Sequence, residues 1–335
     1  MRLSASEKYE IIQMVDKSEI GVIRTLKEIG VNKSTFFNWY KAYSEGGLDG
    51  LKAHQRASNR QQWNTIPQVQ KNLVVEIALE YTNLSPRELA NKITDEQQIF
   101  ISESSVYRIL KAKGLITSPA HILLAASNEF KHKTTFVHEM WQTDFTYFHI
   151  IGWGWYYLST ILDDHSRFIV HWELCKAMEG DDVKRTVDRA VAKARLKTKI
   201  RPKLLCDNGA CYISKDLKEY LNIVHDINPI HGRPYHPQTQ GKIERYHRTM
   251  KNVVKLDNYY SPEELIRALE KFVPYYNHER YHESLDNLTP ADVYYGHGDQ
   301  ILMERERIKQ DCFRERKMNY EKLKVKNNLN NLVTN

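Results

Sequence analysis

Apolar residues recur at helical spacing in the first part of the chain. Over residues 1–45 they form short stretches with a period of three to four residues, and Gly30 separates the second stretch from the third. The third stretch opens at Asn32, whose side chain suits a helix cap. A helix, a glycine turn and a capped helix are typical of a helix-turn-helix unit. The pattern therefore predicts such a unit over residues 1–45.

The same order of helices is predicted over residues 66–117, although the sequence itself is not repeated. Ser85 and Pro86 suit the cap and the first turn of the middle helix, and Gly114 ends the third helix. In DNA-binding units of this kind, the last helix presents its polar side chains outward. The predicted DNA-contacting residues are Lys33, Ser34, Thr35, Asn38, Ser105, Arg108 and Lys111. The alternative is a pair of tri-helical units with no role in DNA binding.

The pattern changes from helical to strand-like at about Phe136. Three stretches rich in aromatic and β-branched residues follow one another with short turns between them, which predicts three antiparallel strands. Helical patterns then alternate with two short strands, so residues 136–298 are predicted to form a mixed α/β domain with the order βββαβαβα. The predicted strands are 137–150, 153–164, 166–175, 202–206 and 225–230, and the predicted helices are 181–197, 213–221 and two that start at Lys242 and Pro262.

Polar segments connect and extend these predicted domains. Residues 46–65 and 118–135 are predicted linkers, and the bases of the first linker either follow a phosphate backbone or are simply solvated. These bases are Lys52, Arg56 and Arg60. Residues 299–335 form a C-terminal tail in which bases outnumber acids. We expect a solvated helix there, and a helix used in DNA contact or assembly is the alternative.

Composition indicates what kind of partner the protein binds and in which cellular compartment it is found. The chain has 335 residues, a net charge of +7 and a pI of about 9.0, which allows two or three domains and favours a polyanion such as nucleic acid. A basic protein without such a partner is the alternative. The four cysteines form no C-x-x-C pair, the first residues contain no apolar signal segment, and no run of 18 apolar residues occurs. We therefore expect a cytoplasmic protein that crosses no membrane and, in a bacterium, is associated with the nucleoid.

Three carboxylates lie at positions that suit a metal site. Asp144 is in the middle of a predicted strand, Asp207 is at the carboxyl end of another, and Glu244 is near the start of a basic helix. Side chains at such positions can converge at one edge of a sheet, where mutual repulsion raises their pKa values and a divalent cation relieves it. Magnesium suits two or three carboxylates because it keeps several waters. An alternative for Asp207 is purely local, since Asp-Asn-Gly is a common turn sequence.

Other residues compete for these roles. Asp163 and Asp164 are alternatives for the first acid, although acids at the end of a hairpin usually form turns. The histidines in this part of the sequence lack the spacing of a zinc-binding pair on one helix. The sequence contains no P-loop, no G-x-S-x-G and no G-x-G-x-x-G motif, so nothing indicates nucleotide hydrolysis or a serine nucleophile.

Glu244 is the only carboxylate between Asp226 and Asp257, and bases surround it. At a site where two metal ions promote displacement at phosphorus, a glutamate at this position would bind metal while its basic neighbours hold DNA phosphates. On a helix, Glu244 shares one face with the residues three, four and seven positions later. The predicted DNA-contacting residues of this helix are Lys242, Arg245, His247, Arg248 and Lys251.

Several motifs in residues 136–296 resemble the catalytic core of bacterial insertion-sequence transposases, which are related to retroviral integrases. The motifs are W-x-T-D-F-T-Y, L-D-D-H-S-R-F-I-V, C-D-N-G and H-P-Q-T-Q-G-K-I-E-R-Y-H-R-T, followed by YYNHERYHESLDNLTPADVYYG. The resemblance implies a ribonuclease-H-like fold, with a mixed five-stranded sheet flanked by helices, and Asp144, Asp207 and Glu244 as the metal-binding catalytic triad. Many relatives have one residue fewer between the last two acids, a difference that the loop 232–240 can accommodate.

The resemblance also implies a function. Members of this family bind the terminal inverted repeats of a mobile element, cut DNA strands to expose 3′-OH ends and join these ends to target DNA. The chemistry uses two Mg²⁺ ions per active site, for which Mn²⁺ can substitute, and the pairing of two DNA ends implies a homo-oligomer that is at least a dimer on DNA. The alternatives are a helix-turn-helix transcription regulator without catalysis, a nuclease of the same fold and an inactive copy.

Overall fold

The computed structural model describes residues 4–16, 18, 21–51, 62–116, 134–196, 200–231, 241–254 and 258–333. The bases of the first predicted linker, most of the second linker and the predicted loop 232–240 lie outside these residues. The chain divides into two compact units, Met1–Trp63 and Asn64–Asn335. In the described part of the chain, no helix is both long enough and apolar enough to cross a membrane.

The first unit contains the three helices that its periodicity predicts. Gly30 ends the second of them in the left-handed conformation, with φ of 74°, and the Asn32 side chain accepts a hydrogen bond from the Ser34 backbone N–H at 3.0 Å. The third helix continues past residue 45 through a kink at Gly47, so it enters the segment predicted to be linker. The helices are α1 (Ala5–Asp16), α2 (Val22–Ile29) and α3 (Lys33–Leu51), and they enclose a core of Ile12, Val15, Leu26, Phe36 and Leu51.

The second unit begins with another set of three helices, α4 (Gln68–Glu80), α5 (Pro86–Gln97) and α6 (Glu103–Ala112). Ser85 caps α5 as predicted, because its hydroxyl accepts from the Glu88 backbone N–H while the Glu88 carboxylate accepts from the Ser85 N–H. The core of this three-helix group is Val74, Ile77, Leu89, Ala90, Ile93, Ile101, Val106 and Leu110.

A mixed five-stranded sheet forms the centre of the second unit, which confirms the predicted fold class. Its strands are β1 (Met140–Ile150), β2 (Gly154–Asp163), β3 (Ile169–Cys175), β4 (Lys203–Cys206) and β5 (Pro229–His231). The strand order is β3-β2-β1-β4-β5, in which β2 pairs antiparallel with β1 and β3, whereas β4 pairs parallel with β1 and β5 pairs parallel with β4. The parallel pair β1 and β4 therefore lies at the middle of the sheet.

Helices cover both faces of this sheet because side chains alternate along β1 between its two faces. Phe148 and Ile150 pack on one face with two helices, and Trp141 packs on the other face with the remaining ones. The first pair of helices is α10 (Gly241–Val254) and α11 (Pro262–His278). The others are α7 (Gly180–Ala194), α8 (Ala210–Ile213), α9 (Lys215–His225) and α12 (Pro290–Tyr294).

The C-terminal helix α13 spans Gly298–Val333. Its basic composition predicted a solvated helix, but one side of it is buried. Ile308, Cys312 and Arg316 are buried on one side of it. The Arg316 guanidinium donates to the Phe100 carbonyl at 2.7 Å and to the Gln70 side chain at 3.1 Å. One face of α13 therefore packs on the three-helix group of the second unit, a contact that local composition does not encode.

Candidate active site

The register of the two central parallel strands brings two of the predicted catalytic acids together. Met140 of β1 lies beside Lys203 of β4, and the pairing continues in step to Leu205. Continued at the same offset, it sets Asp207 beside Asp144. Because the side chains of neighbouring strands in register point to the same face, both carboxylates belong to the face that α10 covers.

Each of the two carboxylates has few partners. Asp144 Oδ1 accepts a hydrogen bond from the Phe145 backbone N–H at 2.8 Å, and its Oδ2 lies 3.4 Å from Nδ1 of His247. Asp207 Oδ1 accepts from the Gly209 N–H at 2.8 Å. Within the described part of the chain, no lysine or arginine forms an ion pair with either carboxylate.

Electrostatic repulsion between the two acids contributes to a raised pKa of Asp207. Burial raises the pKa of the Asp207 carboxyl, and the nearby Asp144 carboxylate raises it further, while the Gly209 N–H and His231 lower it. Two adjacent carboxylates without a lysine or arginine partner form a donor set that suits a divalent cation with a preference for oxygen, such as Mg²⁺. This part of the predicted site therefore fits a metal.

Glu244, the third predicted acid, lies in the first turn of α10 and is exposed. Its carboxylate is not beside the two aspartates. Among the described residues, no group of three His, Cys, Asp or Glu side chains is close enough to hold a metal ion. The structure thus brings Asp144 and Asp207 together and leaves Glu244 on the adjacent helix, outside their immediate contact.

The first turn of α10 is fixed to the sheet by a buried polar network. Gln142 donates to the Asp164 carboxylate at 2.6 Å and accepts from the Ile243 backbone N–H at 3.1 Å, which satisfies one of the N–H groups that a helix start leaves without an intrahelical partner. The Lys242 ammonium binds the Asp164 carboxylate and its backbone carbonyl. The start of α10, which carries Glu244, is therefore anchored to Gln142, and Gln142 precedes Asp144 by two residues on β1.

This network corrects the prediction that Lys242 contacts DNA. Its side chain is only 8% exposed, and its ammonium faces Asp164 in the interior. Burial lowers the pKa of Lys242, and the neighbouring Arg167 lowers it further, whereas Asp164 acts in the opposite direction. The side chain anchors the helix and does not extend toward a phosphate.

His247 requires a similar correction. It is buried beside Asp144, so the predicted contact with a DNA phosphate is not supported by its position. Its other ring nitrogen, Nε2, is buried without a hydrogen-bond partner. The Nδ1 side of the ring therefore faces Asp144.

The competing acids at the end of the β2–β3 hairpin have structural roles. Asp163 accepts hydrogen bonds from the backbone N–H and hydroxyl of Ser166 and from the His138 N–H. Asp164 is occupied by Gln142, Lys242 and Thr134. Both side chains are buried and hydrogen-bonded within the protein, so Asp144 stays the predicted first acid.

The remaining predicted DNA-contacting residues lie at accessible positions. On α10, Arg245 and Arg248 are exposed and Lys251 is partly exposed. On the third helices of the helical groups, Ser105 and Thr35 are partly exposed, and the others are fully exposed: Lys33, Ser34, Asn38, Arg108 and Lys111. These positions are compatible with DNA contact, which remains a prediction.

Sequence reasoning missed Gln142 and the anchoring role of Asp164. A signal for Gln142 was present, because residues two apart on a strand share a face and Gln142 precedes Asp144 by two. No local signal connects Asp164 with Lys242, which lies 78 residues later in the sequence. That contact exists only because α10 packs on β1 and β2.

Part of this arrangement matches known families. The Integrase core domain family matches residues 134–237, and a second Integrase core domain family matches residues 225–290. This part of the chain is therefore similar to an integrase core domain. Homeodomain-like domains match residues 2–52 and 35–110, so two such matches precede the integrase core.

Relatives of this integrase core occur in mobile elements and retroviruses. The chain is 26% identical over 271 residues to the transposase for transposon Tn552 of Staphylococcus aureus, which covers 74% of this chain and 56% of the relative. It is 29% identical over 132 residues to the Gag-Pro-Pol polyprotein of Mouse mammary tumor virus (strain BR6), which covers 38% of this chain and 7% of the polyprotein. The chain thus spans about half of the first relative and a small part of the second.

Solved structures similar to the chain include two of retroviral origin. A chain of the simian T-cell lymphotropic virus intasome, in complex with PP2A regulatory subunit B56 gamma, is 17% identical with a TM-score of 0.43, over 66% of this chain and 74% of that chain. The catalytic core domain of BIV integrase is 19% identical with a TM-score of 0.37, over 49% of this chain and 97% of that chain.

Proposed function

We propose that this integrase-core protein is a DNA transposase, a metal-dependent polynucleotidyl transferase that cuts strands at the ends of its mobile element and joins the exposed 3′-OH ends to target DNA. The observation that supports it best is the Asp144–Asp207 pair, which has no lysine or arginine partner among the described residues and lies beneath a helix with an exposed basic face. An acid pair of this kind serves phosphoryl transfer, whereas the exposed bases around it suit a phosphate backbone.

Asp144 and Asp207, with Glu244 from α10, would hold two Mg²⁺ ions, or Mn²⁺ in their place. Bound metal supplies charge stabilisation at the oxygens of the phosphate under attack and lowers the pKa of a bound water. The chain itself contributes orientation. The Gln142–Asp164–Lys242 network fixes the start of α10, and Arg245, Arg248 and Lys251 position the DNA strand.

The helical groups that precede the core are proposed to recognise the DNA sequence. Their third helices, with exposed polar and basic side chains, are proposed to enter the major groove at the terminal inverted repeats. Two element ends must be held together for joining, so we propose a homo-oligomer that is at least a dimer on DNA. The protein would act on the bacterial nucleoid, where that DNA lies.

The test is a cutting and joining assay with the purified full chain. The substrate is an end-labelled duplex copied from the DNA that flanks the gene, incubated with Mg²⁺ or Mn²⁺. Wild type should give metal-dependent nicks and joined products, whereas Glu244→Gln and Asp207→Asn should lower both by roughly 100-fold or more while DNA binding is retained.

Glu270→Gln is the matched control, because Glu270 is an exposed glutamate on the neighbouring helix α11. It should cut at the wild-type rate. Binding without metal-dependent cutting by wild type would exclude the transposase and favour a DNA-binding regulator, and nicks without joined products would favour a nuclease of the same fold.

A further inference from the structure

The β1–β2 hairpin carries a group of exposed aromatic side chains at its tip, which we term the aromatic tip: Tyr147, His149, Trp153 and Trp155. Tyr147, Trp153 and Trp155 are 51%, 56% and 53% exposed. Rings of this size are usually buried, and a contiguous exposed group of them generally marks a binding surface. The fold itself does not require these rings, since the neighbouring Phe148 and Ile150 on the other face already fill the core beneath the hairpin.

The rings of the aromatic tip are held together by the strand register. His149 lies directly opposite Trp155, and Tyr147 lies opposite Tyr157. The Trp155 ring meets the Tyr147 and His149 rings edge to face, with centroid distances of 5.4 and 5.1 Å. The group is therefore a preorganised surface on a rigid strand pair, so a flat ligand that stacks on it orders few additional side chains.

The aromatic tip lies on the sheet face opposite α10, but one base of that helix reaches it. The Lys251 ammonium lies 4.8 Å from the centroid of the Tyr147 ring. Lys251 follows Glu244 by seven residues and Arg248 by three, so the three side chains share one face of the helix. Tyr147 is three residues from Asp144, or about 10 Å along an extended strand, and its side chain points to the opposite face of the sheet. Lys251 of α10 thus connects the face that carries the acid pair with the exposed rings on the other face.

We propose that the aromatic tip stacks on unpaired bases of the DNA strand that enters the active site. This inference rests on the proposed function, and it adds that the substrate end is held in a locally unpaired form. Single-stranded DNA is held by a basic surface that follows the backbone together with aromatic rings on which bases stack, and both parts are present here. The bases of α10 favour a polyanion over a second copy of this chain, whose net charge is also positive, at +7.

The proposal is tested by DNA binding in the presence of EDTA, so that no cutting occurs. The full chain is titrated, with fluorescence anisotropy as the readout, into a labelled duplex that has an unpaired overhang and into the same duplex fully paired. Stacking of one base contributes about 1–3 kcal/mol, so Trp155→Ala should weaken binding of the overhang duplex by about 5- to 150-fold. The affinity for the paired duplex should change less than about twofold.

Two variants act as controls. Trp155→Phe keeps a ring and should retain most of the overhang affinity. Phe136→Ala removes a ring that is similarly exposed, at 55%, but lies before the start of β1, and it should bind both duplexes as wild type does. Equal affinities of wild type and Trp155→Ala for the overhang duplex, or an equal loss for both duplexes, would overturn the proposal.

A measurement on the wild-type protein tests base stacking even if Trp155→Ala folds poorly. A 2-aminopurine placed in the overhang should lose fluorescence on binding because it stacks on the rings, and the same base within the paired region should not. Unchanged overhang fluorescence at saturation would refute base stacking. A Trp155→Ala protein that sediments as a smaller species but binds both duplexes normally would instead assign the aromatic tip to self-association.

These outcomes are independent of the cutting assay. If the wild-type protein does not cut DNA but the overhang bases still stack, the proposed transposase function is rejected. The aromatic tip then remains a site for unpaired DNA. Normal cutting by wild type, together with unchanged overhang binding by Trp155→Ala, would reject the aromatic tip alone.

Discussion

Asp207 illustrates at the residue scale how a candidate active site can lower the stability of the fold. Burial and the adjacent Asp144 raise the pKa of its carboxyl above the ordinary value of 3.8. In the unfolded chain the carboxyl loses its proton more readily, so the unfolded state binds fewer protons than the folded state in the pH range between the two pKa values. The free energy of unfolding therefore falls as the pH rises through this range.

Asp207→Asn should accordingly raise the free energy of unfolding at pH 7 relative to wild type, because the neutral amide removes the repulsion from Asp144. The difference should narrow as the pH falls through the raised pKa of the wild-type carboxyl, because that carboxyl then becomes neutral as well. Urea unfolding of both proteins at several pH values measures it. A variant that is less stable than wild type at pH 7 would contradict the repulsion, and Asp226→Asn, at an exposed helix end, is the matched control.

At the scale of the element, α10 has buried residues that fix its position and an exposed face that is basic. Lys242 and Ile243 are held by Asp164 and Gln142, whereas Arg248, on the outer face, is free of the interior. The position of the helix and the proposed contact with DNA thus depend on different residues of the same helix. A comparison of one residue of each kind separates the two roles.

Lys242→Met should lower the free energy of unfolding by about 3–5 kcal/mol, because it leaves the buried Asp164 carboxylate without its charged partner. Arg248→Met, one helix turn beyond Glu244, should change stability by no more than about 0.5 kcal/mol. It should weaken DNA binding and lower the slope of log affinity against log salt by about one. Urea unfolding measures the stability of each variant, and salt titrations measure its DNA binding. Similar losses of stability in the two variants would show that Lys242 does not anchor the helix.

At the scale of the whole molecule, the second unit is assembled from segments far apart in the sequence. Asp95 of α5 binds Arg305 of α13 with both carboxylate oxygens at 2.7 Å, and the Tyr281 hydroxyl donates to it at 2.8 Å. Arg87 of α5 also donates to Asn287 at 2.8 Å. These contacts tie the three-helix group, the segment after α11 and the C-terminal helix into one body.

Asp95→Ala should lower the free energy of unfolding of the second unit by about 1–3 kcal/mol, since it leaves the Arg305 guanidinium, whose side chain is 12% exposed, without its carboxylate. Arg307→Ala, on the exposed side of the same helix, should have an effect below about 0.5 kcal/mol, although Arg307 pairs with Glu304 and Asp311. Chemical unfolding of the full chain compares them. Equal effects would mean that α13 does not depend on this contact.

Local sequence was sufficient for most elements because their signals are short-range. The periodicity of apolar residues predicted the helices of both three-helix groups, and alternation with β-branched and aromatic residues predicted β1, β2 and β3. Helix ends followed from single residues, as the Ser85 cap and the left-handed Gly30 show. Helix α3 continues through the kink at Gly47 to Leu51, so it extends several residues into the segment that was predicted to be a linker.

The candidate site was only partly determined by sequence. The chain by itself determined which acids are unusual, since a charged residue in the middle of a strand or a lone acid among bases conflicts with its local pattern. Tertiary structure decided which groups meet: the parallel register joins Asp144 to Asp207, and packing of α10 turns Lys242 and His247 inward and leaves Arg248 outside. Helical spacing places side chains on faces, but only packing decides which face becomes buried, because burial depends on elements far away in the sequence.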